Sequence, residues 1–182
     1  MASTLDWKSC EDPRDIVHIA VQALVEGRLV ALPVETAYHV FASGLRPGAV
    51  HKLVDLTRRK KVRSPCVYLR SPQEALDYSP DMSVVASRIA DRGWPGPLVL
   101  QLPAGAESSL TNYLPADVRE PLLIDGQYLP QRVAAHDAVV QAMRLMPGPL
   151  IAASMVQANG DAICSGKQAA ELADESVAAV VD

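Results

Sequence analysis

Short, almost wholly apolar runs that stop at a proline or a polar turn recur along this chain, and they constrain its fold more than any other feature. Residues 29–32 run into Pro33, and residues 66–69 follow Pro65. Residues 98–102 leave the turn Trp94-Pro95-Gly96-Pro97, residues 150–153 leave Pro147-Gly148-Pro149 and stop at Ser154, and residues 177–181 form a final run. A strand that is apolar on both sides has to be covered on both sides. The stretches between these runs supply the cover. Ile16, Ile19, Ala20, Ala23 and Leu24 recur at helical spacing, behind an Asp12-Pro13 start and ahead of Gly27. Residues 47–56 put Val50, Leu53, Val54 and Leu56 on the inner side of a second helix. Further helices are expected near 72, over 81–92, over 136–145 and over 167–173. The fold class that follows is α/β (α+β): a twisted, mostly mixed sheet with helices on both faces. Residues 103–121 show no clear period and read as an irregular excursion, and residues 122–124 and 132–134 read as strands joined around Gly126. A single domain over 1–182 is expected. Its last apolar run ends where the chain ends, as in the N-terminal part of a longer protein with a further domain.

Composition narrows the classes. Hydrophobic residues make up 49% and aromatics only 4%, so aliphatic side chains must fill the core of a globular domain. The net charge of −4 leaves nucleic acid only a local basic patch to bind. Cys10, Cys66 and Cys164 are scattered and odd in number, which suggests a reducing, cytoplasmic setting. No apolar run approaches ~18 residues, so no membrane span is expected. The four histidines have no metal-binding spacing, and no metal site is assigned. No nucleophile elbow, glycine-rich phosphate loop or Ser-His-Asp order appears.

Polar groups gather in a few places. Glu35, Thr36, Tyr38 and His39 come just after the 29–33 run, where sheet edges commonly face ligands. Thr36 can donate and accept, and Tyr38 adds a flat face and a hydroxyl; a capped turn with Tyr38 in the core explains them equally well. Five of the six residues from Arg58 to Arg63 are cationic. Read as a loop, this segment suits a polyphosphate or an RNA backbone, or is simply a solvated surface. Trp94-Pro95-Gly96-Pro97 reads as a stiff turn, and Arg132 and Ser154 as residues at strand edges.

Taken together these pieces resemble the YrdC family, from about Ile16 to the end. Pro33-Val34-Glu35-Thr36-Ala37-Tyr38-His39-Val40 is similar to its Pro-Thr-Glu-Thr-x-Tyr-Gly-Leu motif, and Thr57-Arg58-Arg59 to its Lys-x-Arg. The Trp-Pro-Gly-Pro turn, Arg132-Val133-Ala134-Ala135-His136 and the strand ending Ser154-Met155-Val156 fall where the family has Trp-Pro-Gly-Pro, Arg-Val-Pro-x-His and Ser-Ala-Asn. The resemblance implies a large, positively lined concave cleft. It also implies a threonylcarbamoyl-AMP synthase, which joins L-threonine, bicarbonate and ATP, with Mg²⁺ on the phosphates, and releases pyrophosphate. The product serves threonylcarbamoyladenosine modification of tRNA. No tightly bound cofactor is expected. On this resemblance Arg59 and Thr36 are the catalytic candidates, and Glu35, Tyr38, Lys60, Lys61, Arg132 and Ser154 bind substrate or nucleotide. The family has also been described as binding double-stranded RNA, which points to residues 58–63. The chain departs from the motifs at Val34, His39, Thr57, Val99, Met155 and Val156. Losing a phosphate-binding lysine removes a charged hydrogen bond worth ~1.5–3 kcal/mol. Two readings follow: an enzyme with a degenerate site, or a non-catalytic module that holds nucleotide, RNA or a partner domain.

Overall fold

The computed structural model describes residues 3–7, 9–60 and 62–182; Lys61, one of the expected binding residues, lies outside the described residues. In chain order the elements are β1 (Ser3–Leu5), α1 (Pro13–Val25), β2 (Leu29–Pro33), β3 (Tyr38–Ser43), α2 (Pro47–Lys60), β4 (Cys66–Leu69), α3 (Ala75–Tyr78), α4 (Val84–Gly93), β5 (Leu100–Pro103), α5 (Ala116–Arg119), β6 (Tyr128–Val133), α6 (Asp137–Leu145), β7 (Leu150–Ser154), α7 (Gly166–Leu172) and β8 (Val177–Val181). The strands form one sheet in the order β1-β8-β2-β3-β7-β4-β6-β5. It is mixed: β8 runs parallel to β1 and β2, and β4 parallel to β6, while the remaining neighbours are antiparallel.

Side chains alternate across the central strands, as the pleat requires. Leu29, Ala31, Val40, Ala42, Val67, Ile151 and Ala153 point to one face and pack with Val50 and Leu53 of α2 and Ala169 of α7. Val30, Leu32, Phe41, Tyr68, Leu150 and Ala152 point to the other, beneath Ile16, Ala20 and Leu24 of α1 and Val139 of α6. Helices therefore cover both faces, as expected. Each leucine fully buried this way contributes ~1.5–3 kcal/mol.

Three local differences from the sequence reading have physical causes. The basic segment is not a loop at its start: α2 runs on to Lys60. Thr57 continues the inner stripe of Val50, Leu53 and Val54, is buried, and donates its hydroxyl to the Val54 carbonyl at 2.6 Å. Arg58, Arg59 and Lys60 then occupy the last helical turn, where exposed carbonyls favour positive charge. In α1 the stripe is Ile16, Val17, Ala20, Ala23 and Leu24, while Ile19 faces solvent. Near Gly126 there is one longer strand, β6, rather than two short ones. The turn before it needs positive φ at Asp125 and Gly126, and Ile124 makes only an isolated bridge to Tyr128. The strand β1 carried no pattern that announced it.

Candidate active site

The β2–β3 hairpin organises the site. Pro33 pairs with Tyr38 at its end, and Val34 N–H closes the turn on the Ala37 carbonyl at 2.8 Å. That leaves Glu35 and Thr36 at the exposed tip. Glu35 reaches across to β6, where its carboxylate takes hydrogen bonds from the Arg132 guanidinium and from the Ala135 N–H. Arg132 is only 2% exposed, and its Nε donates to the Gly96 carbonyl at 3.0 Å. Gly96 in turn donates to the Val133 carbonyl at 2.8 Å, and a Cβ on it would sit 2.7 Å from the Gly93 carbonyl. The Trp94-Pro95-Gly96-Pro97 turn is thus fastened to the arginine strand. Burial alone would raise the Glu35 carboxyl, but the Ala135 N–H and the arginine more than offset it and hold it below its ordinary value. Arg132 is therefore a buried cation whose charge is paired with Glu35.

A cavity of about 480 Å³ opens beside this hairpin. Glu35, Thr36 and Tyr38 line it from the hairpin, His136 from the start of α6, Ser165 and Lys167 from the start of α7, and Asp182 from the chain end. Ligand pockets commonly span about 300–1,000 Å³, so the space suits a small molecule. Tyr38 donates its hydroxyl to Asp182 at 2.9 Å, and burial together with that carboxylate raises its pKa. Burial holds His136 below the usual histidine range. The cavity thus brings together a hydroxyl (Thr36), a cation (Lys167) and two carboxylates, within reach of hairpin backbone.

Ser154 sits at the end of β7, opposite His39 of β3. Its hydroxyl lies 3.2 Å from His39 Nε2, and His39 Nδ1 lies 2.8 Å from the Tyr68 hydroxyl. Tyr68 is fully buried, packs edge-on against Phe41, and has the Arg132 guanidinium 5.6 Å from its ring centre. Burial, with the arginine beside it, depresses His39 from 6.5 to about 3, so the ring is neutral.

A second depression lies between α2, the end of β7 and α7. It is a narrow apolar crevice of about 20 Å³, lined by Thr57 and Lys60 of α2, by Ser154, Met155 and Val156, and by Ile163, Leu172 and Asp174. Thr57 and Val156, two of the departures from the motifs, share its walls. Arg59 points outward and pairs with Asp174 at 3.1 Å, and Arg58 stands 4.0 Å from Asp55. Part of the basic charge is thus answered by the chain's own carboxylates.

The expected residues are divided accordingly. Glu35, Thr36 and Tyr38 share the larger cavity, and Lys60 and Ser154 line the crevice. Arg132 lies inside, joined to Glu35, and Arg59 lies at the crevice rim on Asp174. Sequence reasoning missed Ser165, Lys167 and Asp182 as cavity walls, and Tyr68 as the partner of His39. Tyr68 carried a signal, since a lone phenol in an apolar strand needs a partner inside. The other three carried none, because only the fold brings the chain end against the hairpin.

Comparison with known proteins agrees with this architecture. Residues 22–182 match the model of the Sua5/YciO/YrdC family, described as "Telomere recombination". The chain belongs to this family. It is 28% identical over 140 residues to a threonylcarbamoyl-AMP synthase of Pyrococcus abyssi, covering 76% of this chain and 38% of that protein. It is 27% identical over 139 residues to one from Methylococcus capsulatus, covering 76% and 69%. The matched stretch therefore covers well under half of the archaeal relative. Among solved structures, P. abyssi Sua5 in complex with L-threonine superposes with a TM-score of 0.75 at 23% identity, over all of this chain and 50% of that one. E. coli YciO does so with 0.77 at 14%, over all of this chain and 84% of that one. These likenesses establish the fold: a Sua5/YrdC-type domain. Among the described residues no helix is long and apolar enough to cross a membrane.

Proposed function

We propose that this domain acts as a threonylcarbamoyl-AMP synthase, taking L-threonine, bicarbonate and ATP, in a form weakened at the nucleotide. The observation that supports it best is the polar cavity of about 480 Å³ at the Glu35-Thr36 turn. An amino acid placed there finds Lys167 for its carboxylate, the Glu35 and Asp182 side for its ammonium, and the exposed Thr36 hydroxyl for its own polar groups. Glu35 and Arg132 then act as one unit. The ion pair pins the hairpin tip to β6 and keeps the pocket wall in place, which is catalysis by positioning.

The nucleotide, with Mg²⁺ on its phosphates, is a substrate in this reading. Its triphosphate does not fit inside the crevice, which has room for about 20 Å³ between Thr57 and Val156. The phosphates instead lie across the rim, where Lys60 and Arg59 supply charge and Ser154 a hydroxyl. Arg59 has to leave Asp174 to do so. That pair is exposed, at 63% and 36%, and such pairs are worth only ~0–1 kcal/mol. Calorimetric titration with L-threonine tests the amino-acid half. Wild-type protein should bind it, and Thr36→Val should bind it about tenfold more weakly, for one lost hydrogen bond. Equal binding by both proteins, or none by wild type, would remove the cavity from the reaction.

A further inference from the structure

The Tyr68, His39 and Ser154 side chains form a chain whose hydrogens can be placed. The Tyr68 hydroxyl is buried, and His39 Nδ1, at 2.8 Å, is its recorded partner. The Arg132 guanidinium, 5.6 Å from the Tyr68 ring centre, carries donors only and offers the hydroxyl no acceptor. A buried phenol O–H without an acceptor is costly, so Tyr68 donates to Nδ1. The His39 proton is then on Nε2, which lies 3.2 Å from the Ser154 hydroxyl and donates to it. Ser154 is exposed, and its own hydrogen has no acceptor among the described residues. Every bond in the row points the same way, from the buried cation outward. Chains of this kind polarise one another and strengthen their last donor.

We propose that His39 is a positioning residue that fixes Ser154 as an outward hydrogen-bond donor, so that the site selects a ligand oxygen able only to accept, a phosphate or carboxylate oxygen. The family motif to which this stretch is similar has glycine at position 39, so the device belongs to this chain and not to the motif. The same bond directions exclude a serine nucleophile here, because His39 offers Ser154 a proton and cannot take one. The identity of the ligand rests on the function proposed above; the direction of the relay does not.

Two measurements decide it. The first is the ¹⁵N imidazole spectrum of wild-type protein at neutral pH. A protonated Nε2 and a bare Nδ1 are expected for His39, and Tyr68→Phe should release Nδ1 and mix the tautomers. A protonated Nδ1, a doubly protonated ring, or an unchanged spectrum in Tyr68→Phe would overturn the relay. The second is calorimetry with ATP and, separately, L-threonine. Ser154→Ala, which changes an exposed side chain, should weaken one of the two about tenfold, and which one identifies the oxygen as phosphate or carboxylate. His39→Asn, whose amide does not reach the Nε2 position, should lose as much and add nothing to Ser154→Ala, whereas His39→Gln, which does reach it, should keep most of the binding. Normal binding of both ligands by Ser154→Ala, or additive losses, would refute the proposal. If wild type binds neither ligand, the proposed function fails while the spectrum still decides the relay.

Discussion

Mild acidification should destabilise this domain, and His39 should be the main cause. The imidazole is 8% exposed, wedged between Tyr68, Ser154 and the Arg132–Glu35 pair, and its pKa falls from 6.5 to about 3. The unfolded chain therefore binds a proton across that window that the folded chain refuses. A pKa depressed on folding makes the stability full above 6.5 and drains it as pH falls towards 3. Each unit below the upper limit removes ~1.4 kcal/mol, so at about pH 5 the loss is ~2 kcal/mol, a sizeable share of the ~5–15 kcal/mol that a domain has. His136, also depressed, adds in the same direction, whereas Glu35, held below its ordinary value, contributes only at lower pH. Urea unfolding at neutral pH and at about pH 5 reads the difference directly. Wild type should lose ~2 kcal/mol or slightly more, and His39→Gln, though less stable at neutral pH, should lose most of that slope. Equal slopes for the two proteins would refute the buried neutral imidazole.

Further consequences concern single contacts. Glu35→Gln leaves Arg132 buried without its counter-charge; unfolding should show a loss of ~3 kcal/mol, the low end for a broken buried pair because Glu35 keeps some contact with water. Arg59→Ala removes only an exposed pair with Asp174 and should change stability by less than ~1 kcal/mol while weakening ATP binding in calorimetry. A side chain at Gly166 would collide with Asp182, which holds the Tyr38 hydroxyl, so Gly166→Ala should weaken L-threonine binding with the sheet intact by circular dichroism.

Much of the fold was legible because its signals are local. The runs at 66–69, 150–153 and 177–181 are strands within a residue or so, and the helix starts at Pro13 and Pro47 come from proline in a first turn. The end of α2 was misread because polarity at Thr57 looks like a helix stop, while its hydroxyl is satisfied inside the helix by the Val54 carbonyl. The site was less legible, since its geometry lies in contacts between residues far apart in sequence. Glu35 and Arg132 were both singled out, but not that each neutralises the other. His39 was noted among the polar residues after the 29–33 run, and only the placement of β7 beside β3, and of β4 beyond β7, shows what it touches.

The claim that this domain condenses L-threonine, bicarbonate and ATP, against a nucleotide site blunted at two positions, is tested most directly by pyrophosphate release. Wild type should release it slowly and only when all three substrates are present, and Thr57→Lys with Val156→Asn should raise the rate. No release above the blank from either protein, with ATP, L-threonine and bicarbonate all present at saturation, would contradict the account.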